Sequence, residues 1–343
     1  MPTPSTRLCL IGLGRAGRFH LQSLRMMEDA RLAYVYDFDT ARAEAVAQQY
    51  NCAAAKSVQD AIASKKVDAV IVASPTESHF EYVDLCLQQG VPVLSEKPLG
   101  STLAQVDACF EKAAAKETPL FVAYQRIFDP SFRTLMQGVH AGEIGQLQFV
   151  RSVARDNPVP TPDYIRTSGG IFHDCMVHDL DMVSRIVREV PTHMSAFASS
   201  YIADIGKYDD FDNVVATLSF PSGAMASIDI NRKSVFGYDQ RIEAFGDGGM
   251  LRAENQRQTT VAQSTERGSL RAPIEYSFPT RYQQAYLAEL QCFVRCARGE
   301  EEVPITHADV RTNYLLATGL EKAARESRVV RFDEIESTLV AGA

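Results

Sequence analysis

Short apolar runs and helix-period segments alternate through the first third of the chain. LCLI at 8–11 reads as a buried strand, and after a glycine turn Phe19, Leu21 and Leu24 recur at the spacing of one helix face. The strand signal returns in LAYVYD (32–37), VDAVIVAS (67–74), VPVLSEKP (91–98) and PLFVAY (119–124). Between them, ESHFEYVDLCLQQG (77–90, closed by Gly90) and TLAQVDACFEKAAAKE (102–117) read as helices. Apolar strands separated by amphipathic helices predict a Rossmann, doubly wound parallel sheet whose ligand edge lies beyond the C-terminal ends of its strands.

Beyond Tyr124 the period changes. QLQFVRSVAR, HMSAFASSYI, NVVATLSF, GAMASIDINRK, QRIEAFG and GMLRAE are longer, and several alternate with a period of two. They predict a C-terminal α+β domain on a large, mostly antiparallel open sheet. An open sheet needs its apolar face covered, and helices on one side with another subunit on the other would do so; a homodimer or homotetramer through this sheet is expected. YQQAYLAELQCFVRCARG and HADVRTNYLLATGLEKAARES read as amphipathic helices whose Tyr286, Leu290, Phe293 and Leu316 belong to the core. The expected division is 1–123 for the first domain and 124–343 for the second.

Composition narrows the class without changing that architecture. A chain of 343 residues has room for two cores, and 45% hydrophobic against 23% charged residues is a globular balance. The net charge of -8 and the lack of any Lys/Arg run argue against a nucleic-acid surface. No apolar stretch reaches the ~20 residues of a membrane span, and the N-terminal MPTPSTR lacks a signal-peptide core. These features together predict a cytoplasmic protein. The seven cysteines are scattered without CxxC pairing and read as reduced thiols, with Cys292 and Cys296 as packing residues. No metal site is expected.

The first turn carries the first candidate chemistry. Gly12, Gly14 and Gly17 form GxGxxG between strand and helix, with Arg15 and Ala16 inside the motif. In that pattern the first glycine permits the turn, the second lets a pyrophosphate approach the backbone, and the third lets helix pack on strand. The helix N-terminus then faces the anion. Asp37 follows the second strand, where a carboxylate accepts from an adenosine ribose and repels a 2'-phosphate. NAD is therefore expected over NADP, subject to the positions of Arg15 and Arg42. At the same sheet edge, Ser74, Pro75, Thr76 and His79 of SPTESH and Glu96 and Lys97 of SEKP are expected around the cofactor. His20 and His79 also read as structural histidines, and Lys97 as a surface lysine paired with Glu96.

The second candidate is GGIFHDCMVHDLDMVSRIV at 169–187. On a helix, Asp174 and His178, four apart, share a face, and Asp181 stays near it. A carboxylate beside an imidazole orients it and supports its protonated form, and a pKa of about 6.5 suits a general base near neutral pH. Alternatively, Asp179 and Asp181 form a solvated face while His178 packs on the core. His173, Asp174, His178 and Asp181 are also metal-ligand types, but adjacent helix residues diverge by about 100 degrees, which disfavours a metal hydrolase.

Taken in order, GLGRAGRFH, ASPTESH, SEKPLG, YQRIFDPSF and GGIFHDCMVHDLDM resemble the glucose-fructose oxidoreductase, inositol dehydrogenase and MocA (GFO/IDH/MocA) family of two-domain NAD(P)-dependent oxidoreductases, over nearly the whole chain. RDNPVPTPDYI, SGGIFHDCMVHDLDM and FGYDQRIEAFGDGGM are most similar to its inositol dehydrogenases. The resemblance implies that Lys97, Asp174 and His178 are catalytic, with Arg126, Asp156, Asp181 and Tyr238 around a polyol substrate. It implies oxidation of a secondary hydroxyl by NAD, with His178 as base and Lys97 stabilising the alkoxide. Myo-inositol is the implied substrate; another inositol isomer or sugar, or a catalytically silent NAD-binding regulator, are the alternatives. His173 and Cys175 depart from the family's Arg and Thr on either side of the aspartate, and Asn157 follows Asp156.

Overall fold

The computed structural model describes residues 5–341, so the first four residues of MPTPSTR lie outside the described residues. The chain divides into two compact units, Met1–Phe128 with Gln283–Arg311, and Asp129–Tyr282 with Thr312–Ala343.

The first unit is built on a parallel sheet of β1 (Thr6–Ile11), β2 (Ala30–Tyr36), β3 (Ala53–Ala54), β4 (Ala69–Val72), β5 (Val93–Glu96) and β6 (Leu120–Ala123), in spatial order β3-β2-β1-β4-β5-β6. Helices α1 (Arg15–Leu24), α2 (Thr40–Tyr50), α3 (Val58–Ala63), α4 (His79–Gln88) and α5 (Leu103–Ala115) make the connections. Leu8, Leu10, Ile11, Val70, Ile71 and Leu94 are wholly buried, as strands covered on both faces require. Strand order reverses between β1 and β4, which sets a ligand crevice beyond their C-terminal ends.

A single cut after residue 123 does not describe this unit, because Gln283–Arg311 returns to it. Tyr286 stacks on Phe19 with ring centroids 5.6 Å apart, and Phe293 meets Phe121 edge-on at 5.9 Å. Arg298 donates to Thr6 Oγ1 at 2.8 Å and Asp29 Oδ2 at 3.1 Å. The amphipathic helix predicted from YQQAYLAELQCFVRCARG is therefore a core element of the nucleotide-fold unit.

The second unit contains a seven-stranded mixed sheet. Strands β7 (Leu147–Arg155), β8 (His193–Ser199), β9 (Asn213–Ser219), β10 (Met225–Asn231), β11 (Asp239–Gly246) and β12 (Gly249–Ala253), with the short strand Val330–Arg331 beside β8, run in the order β12-β11-β7-β10-β9-β8. Within this sheet, among the described residues, only β7 and β10 pair in parallel. Helices α6 (Pro130–His140), α7 (Pro162–Thr167) and α8 (Val177–Val187) follow one another along this part of the chain; α8 packs on β7 and α6 on β12. Asp129 starts α6 by accepting from the N–H groups of Ser131 and Phe132, with Pro130 at the first helical position. Phe197, Val215, Met225, Phe245 and Met250 lie exposed along the strands.

The helix predicted across 169–187 is interrupted. Phe172–Met176 forms a π-helical turn and the α-helix begins at Val177. An extra residue in the turn changes which side chains stack, so Asp174 and His178 are not related by a plain α-helical turn. Among the described residues, no helix is long and apolar enough to cross a membrane.

Candidate active site

In the first unit the glycine turn has the shape a dinucleotide needs. Gly12 has φ +87°, and a Cβ there would lie 2.5 Å from Ser74 N. A Cβ on Gly17 would lie 2.1 Å from Gly12 O, so helix and turn touch through it. At Gly14 the added carbon meets nothing within 4 Å. Two glycines are thus needed for packing, and the middle one leaves open backbone at the start of α1, with Arg15 and Ala16 in its first turn. That division of roles fits a pyrophosphate.

Asp37, 5% exposed, stands just after β2. Its Oδ2 accepts from Leu13 N at 2.7 Å and its Oδ1 from Asp39 N at 2.9 Å. Arg42 Nη1 is 3.5 Å from Oδ1, so this arginine is held against the two acids, Asp37 and Asp39. Arg15 is exposed at the helix N-terminus.

The segments that follow β4 and β5 are tied together by one buried histidine. His79, 2% exposed, places Nδ1 2.7 Å from Pro98 O and Nε2 2.8 Å from Ser74 O. Its ring links the loop of Ser74, Pro75 and Thr76 to the cis Lys97-Pro98 peptide. Burial lowers the His79 pKa, and the two carbonyl contacts counter this only in part. His20 Nε2 lies 2.9 Å from Glu96 Oε1. Burial pushes the Glu96 carboxyl up, but His20 and the neighbouring Lys97 and His79 outweigh it and leave the group below its ordinary range. Glu96 therefore has His20 as its partner in the fold, and half-buried Lys97 emerges between two histidine-held residues. Arg126, 4% exposed, sits in the short helical turn Gln125–Phe128 after β6.

In the second unit, Asp174, Asp156 and Cys175 meet. Asp174, 5% exposed, accepts from Tyr164 Oη at 2.6 Å and from Arg232 Nη1 at 3.0 Å. Cys175 Sγ lies 3.6 Å from Asp156 Oδ2 and 3.7 Å from Asp174 Oδ2. Asp156 follows β7, where its N–H donates to Asn231 O at 2.8 Å and its C=O accepts from Ser234 N at 2.7 Å. Burial works against the Arg232 charge, yet Cys175, Asp174 and Asp210 hold its pKa above the ordinary value.

His178 lies in the first turn of α8 and is half-buried. The acids after it do not form a solvated face. Asp179 is wholly buried and accepts from Ser152 Oγ at 2.6 Å; Asp181, 4% exposed, accepts from Arg185 Nε at 2.9 Å. Tyr238, 6% exposed, packs edge-on to Tyr282 at 5.9 Å and near Phe278 at 6.2 Å. His173 turns elsewhere, its Nε2 3.5 Å from Thr318 Oγ1 and 3.9 Å from Glu321 Oε2. It shares no partner with Asp174 among these contacts. Tyr164, Arg232 and Asp210 escape a sequence reading, since no spacing relates them to residue 174.

The GFO/IDH/MocA model, an oxidoreductase family with an NAD-binding Rossmann fold, matches residues 6–124, and the GFO/IDH/MocA C-terminal domain model matches residues 132–252. The chain belongs to this family. Among its relatives is a myo-inositol 2-dehydrogenase of Thermotoga maritima, 37% identical over 96% of this chain and 99% of the relative. The solved myo-inositol dehydrogenase of Corynebacterium glutamicum superposes with a TM-score of 0.90 at 32% identity, covering 95% of this chain and 98% of that one. The scyllo-inositol dehydrogenase of Lactobacillus casei, solved with bound NAD(H) and scyllo-inositol, gives 0.89 at 25% identity over 96% and 99%. This GFO/IDH/MocA member is an NAD-dependent oxidoreductase with a Rossmann sheet and a second, mostly antiparallel sheet, as its apolar pattern predicts, in which β7 and β10 pair in parallel.

Proposed function

We propose that the protein oxidises a secondary hydroxyl of a cyclic polyol, myo-inositol to 2-keto-myo-inositol. The observation that carries the reading is likeness to a myo-inositol 2-dehydrogenase over 96% of the chain, in a molecule whose glycine turn leaves open backbone at Gly14. NAD, when bound there, supplies the hydride acceptor.

His178 takes the hydroxyl proton, as a half-buried imidazole near neutral pH is suited to do. The Lys97 ammonium stabilises the developing alkoxide. Asp174 orients and electrostatically supports His178. Arg126, Asp156, Asp181 and Tyr238 supply the hydrogen bonds that select a polyol, which offers little apolar surface to hold. Arg15, Ala16, Ser74, Pro75, Thr76 and Glu96 belong to the cofactor side, while His79 acts there through the loops it ties.

The same chain forms a homodimer or homotetramer through the strand face that exposes Phe197, Val215, Met225, Phe245 and Met250. A monomer mass by light scattering at micromolar concentration would count against that assembly.

Lys97→Ala and His178→Ala test the catalytic assignment. Each is expected to lower turnover by about 100-fold or more while leaving NADH affinity within about threefold. Ordinary turnover in the His178 variant removes the base.

A further inference from the structure

Arg232 is the largest wholly buried side chain among the described residues, at 0% exposure. It follows β10, and its N–H donates to Asp212 O at 2.8 Å. Its guanidinium divides between two acids: Nη1 donates to Asp174 Oδ2 at 3.0 Å, and Nη2 to Asp210 Oδ2 at 3.4 Å. Asp210 in turn accepts from Ile171 N at 2.9 Å and Phe211 N at 2.8 Å through Oδ1. Ile171 is the residue immediately before the π-helical turn Phe172–Met176. Gly170, with φ +83°, lets the chain enter that turn beside Asp210, where a Cβ would lie 3.3 Å from Oδ1.

The π turn is therefore held at two points by one cation. Arg232 grips it directly at Asp174 and, through Asp210, at Ile171. Tyr164 Oη closes the other side of Asp174 at 2.6 Å. A guanidinium suits this task because its planar fork reaches two acceptors at fixed angles, which an ammonium does not. Burying such a charge is costly unless its partners are well placed, so a cation at this depth is tied closely to the geometry of its acids.

We propose that Arg232 is the positioning residue for Asp174, fixing the π turn so that this carboxylate stands where it supports His178. The inference rests on the proposed function, in which Asp174 assists proton removal. Arg232 touches neither substrate nor cofactor in this account; it acts through Asp174.

A double-mutant cycle tests it, with Arg232→Met, Asp174→Asn and the two combined, each assayed for kcat, KM and NADH affinity on myo-inositol. Arg232→Met is expected to lower kcat by about 100-fold with NADH affinity within about twofold, and the combined variant to fall no further than Asp174→Asn alone. Arg232→Lys, which keeps a charge but not the fork, should recover about tenfold of that loss. If Arg232→Met fails to fold, Asp210→Asn carries the test. That change weakens the tie to Ile171, and its expected loss of about tenfold in kcat should vanish in the Asp174→Asn background. Losses that add in the combined variant, or unchanged kcat in a folded Arg232→Met protein, overturn the inference and leave the proposed function standing. Ordinary turnover in Asp174→Asn overturns the role given to Asp174, and the inference with it.

Discussion

Oδ2 of Asp37 accepts the main-chain N–H of Leu13 at 2.7 Å, so the carboxylate proposed to meet a ribose also braces the glycine turn. Arg42 is held beside it, 3.5 Å from Oδ1 and 3.2 Å from Asp39 Oδ2. Asp37→Ser should lower kcat/KM for NAD+ by about tenfold or more and raise the NADP+/NAD+ ratio, because a repelling charge is lost and Arg42 is released. Kinetics with both cofactors measures this. An unchanged ratio would show that selection lies elsewhere.

His79 offers a second prediction. Both ring nitrogens face carbonyls, and a neutral imidazole has only one N–H to donate. The ring nevertheless joins the two loops that flank Lys97. His79→Ala leaves a buried carbonyl without its donor and removes the ring between the two loops, which should cost about 1–3 kcal/mol of stability. His79→Gln, with carboxamide N–H donors, should restore part of it. Thermal unfolding of the two variants checks the order, and equal melting of wild type and His79→Ala would rule out the tie.

Much of the fold is legible in the residues, for identifiable reasons. Strands covered on both faces must be apolar throughout, so AVIV at β4 and the LCLI of β1 announce themselves. Gly12 and Gly17 sit where a Cβ cannot fit, which the GxGxxG spacing already encodes. The return of Gln283–Arg311 to the first unit is not legible, since an amphipathic pattern says that a face is buried but not against what. Nor is the π turn, where the change is one of hydrogen-bond register within an unchanged sequence pattern. In the candidate site, the sequence shows Asp174 and His178 only as four residues apart, whereas Asp179 reads equally well as solvated until Ser152 is seen to meet it. Nothing in the sequence singles out Arg232, because arginine is seldom fully buried without partners and its partners lie 58 and 22 residues away.

Asp239 gives the acid side of the stability profile. Burial alone would raise its pKa, but hydrogen bonds from Arg241, Asn255 and Arg155 outweigh burial and hold it below the usual carboxylate range. A folded pKa below the unfolded one means that the stabilisation is complete above the unfolded value, about 3.9. It is lost as pH falls through the lower folded value. The melting temperature of wild type should therefore drop more steeply below about pH 4 than that of Asp239→Asn, which has no charge to lose there. Parallel acid limbs for the two proteins would contradict this.

The most direct measurement is reduction of NAD+ by the purified protein with myo-inositol, scyllo-inositol, chiro-inositol and glucose, each repeated with NADP+. The account predicts turnover with myo-inositol and NAD+ above every other pairing. Turnover centred on another polyol would keep the chemistry and move the question of specificity to His173, Cys175 and Asn157. Failure of every polyol by a protein that still binds NADH would contradict the assignment and leave a silent NAD-binding scaffold in its place.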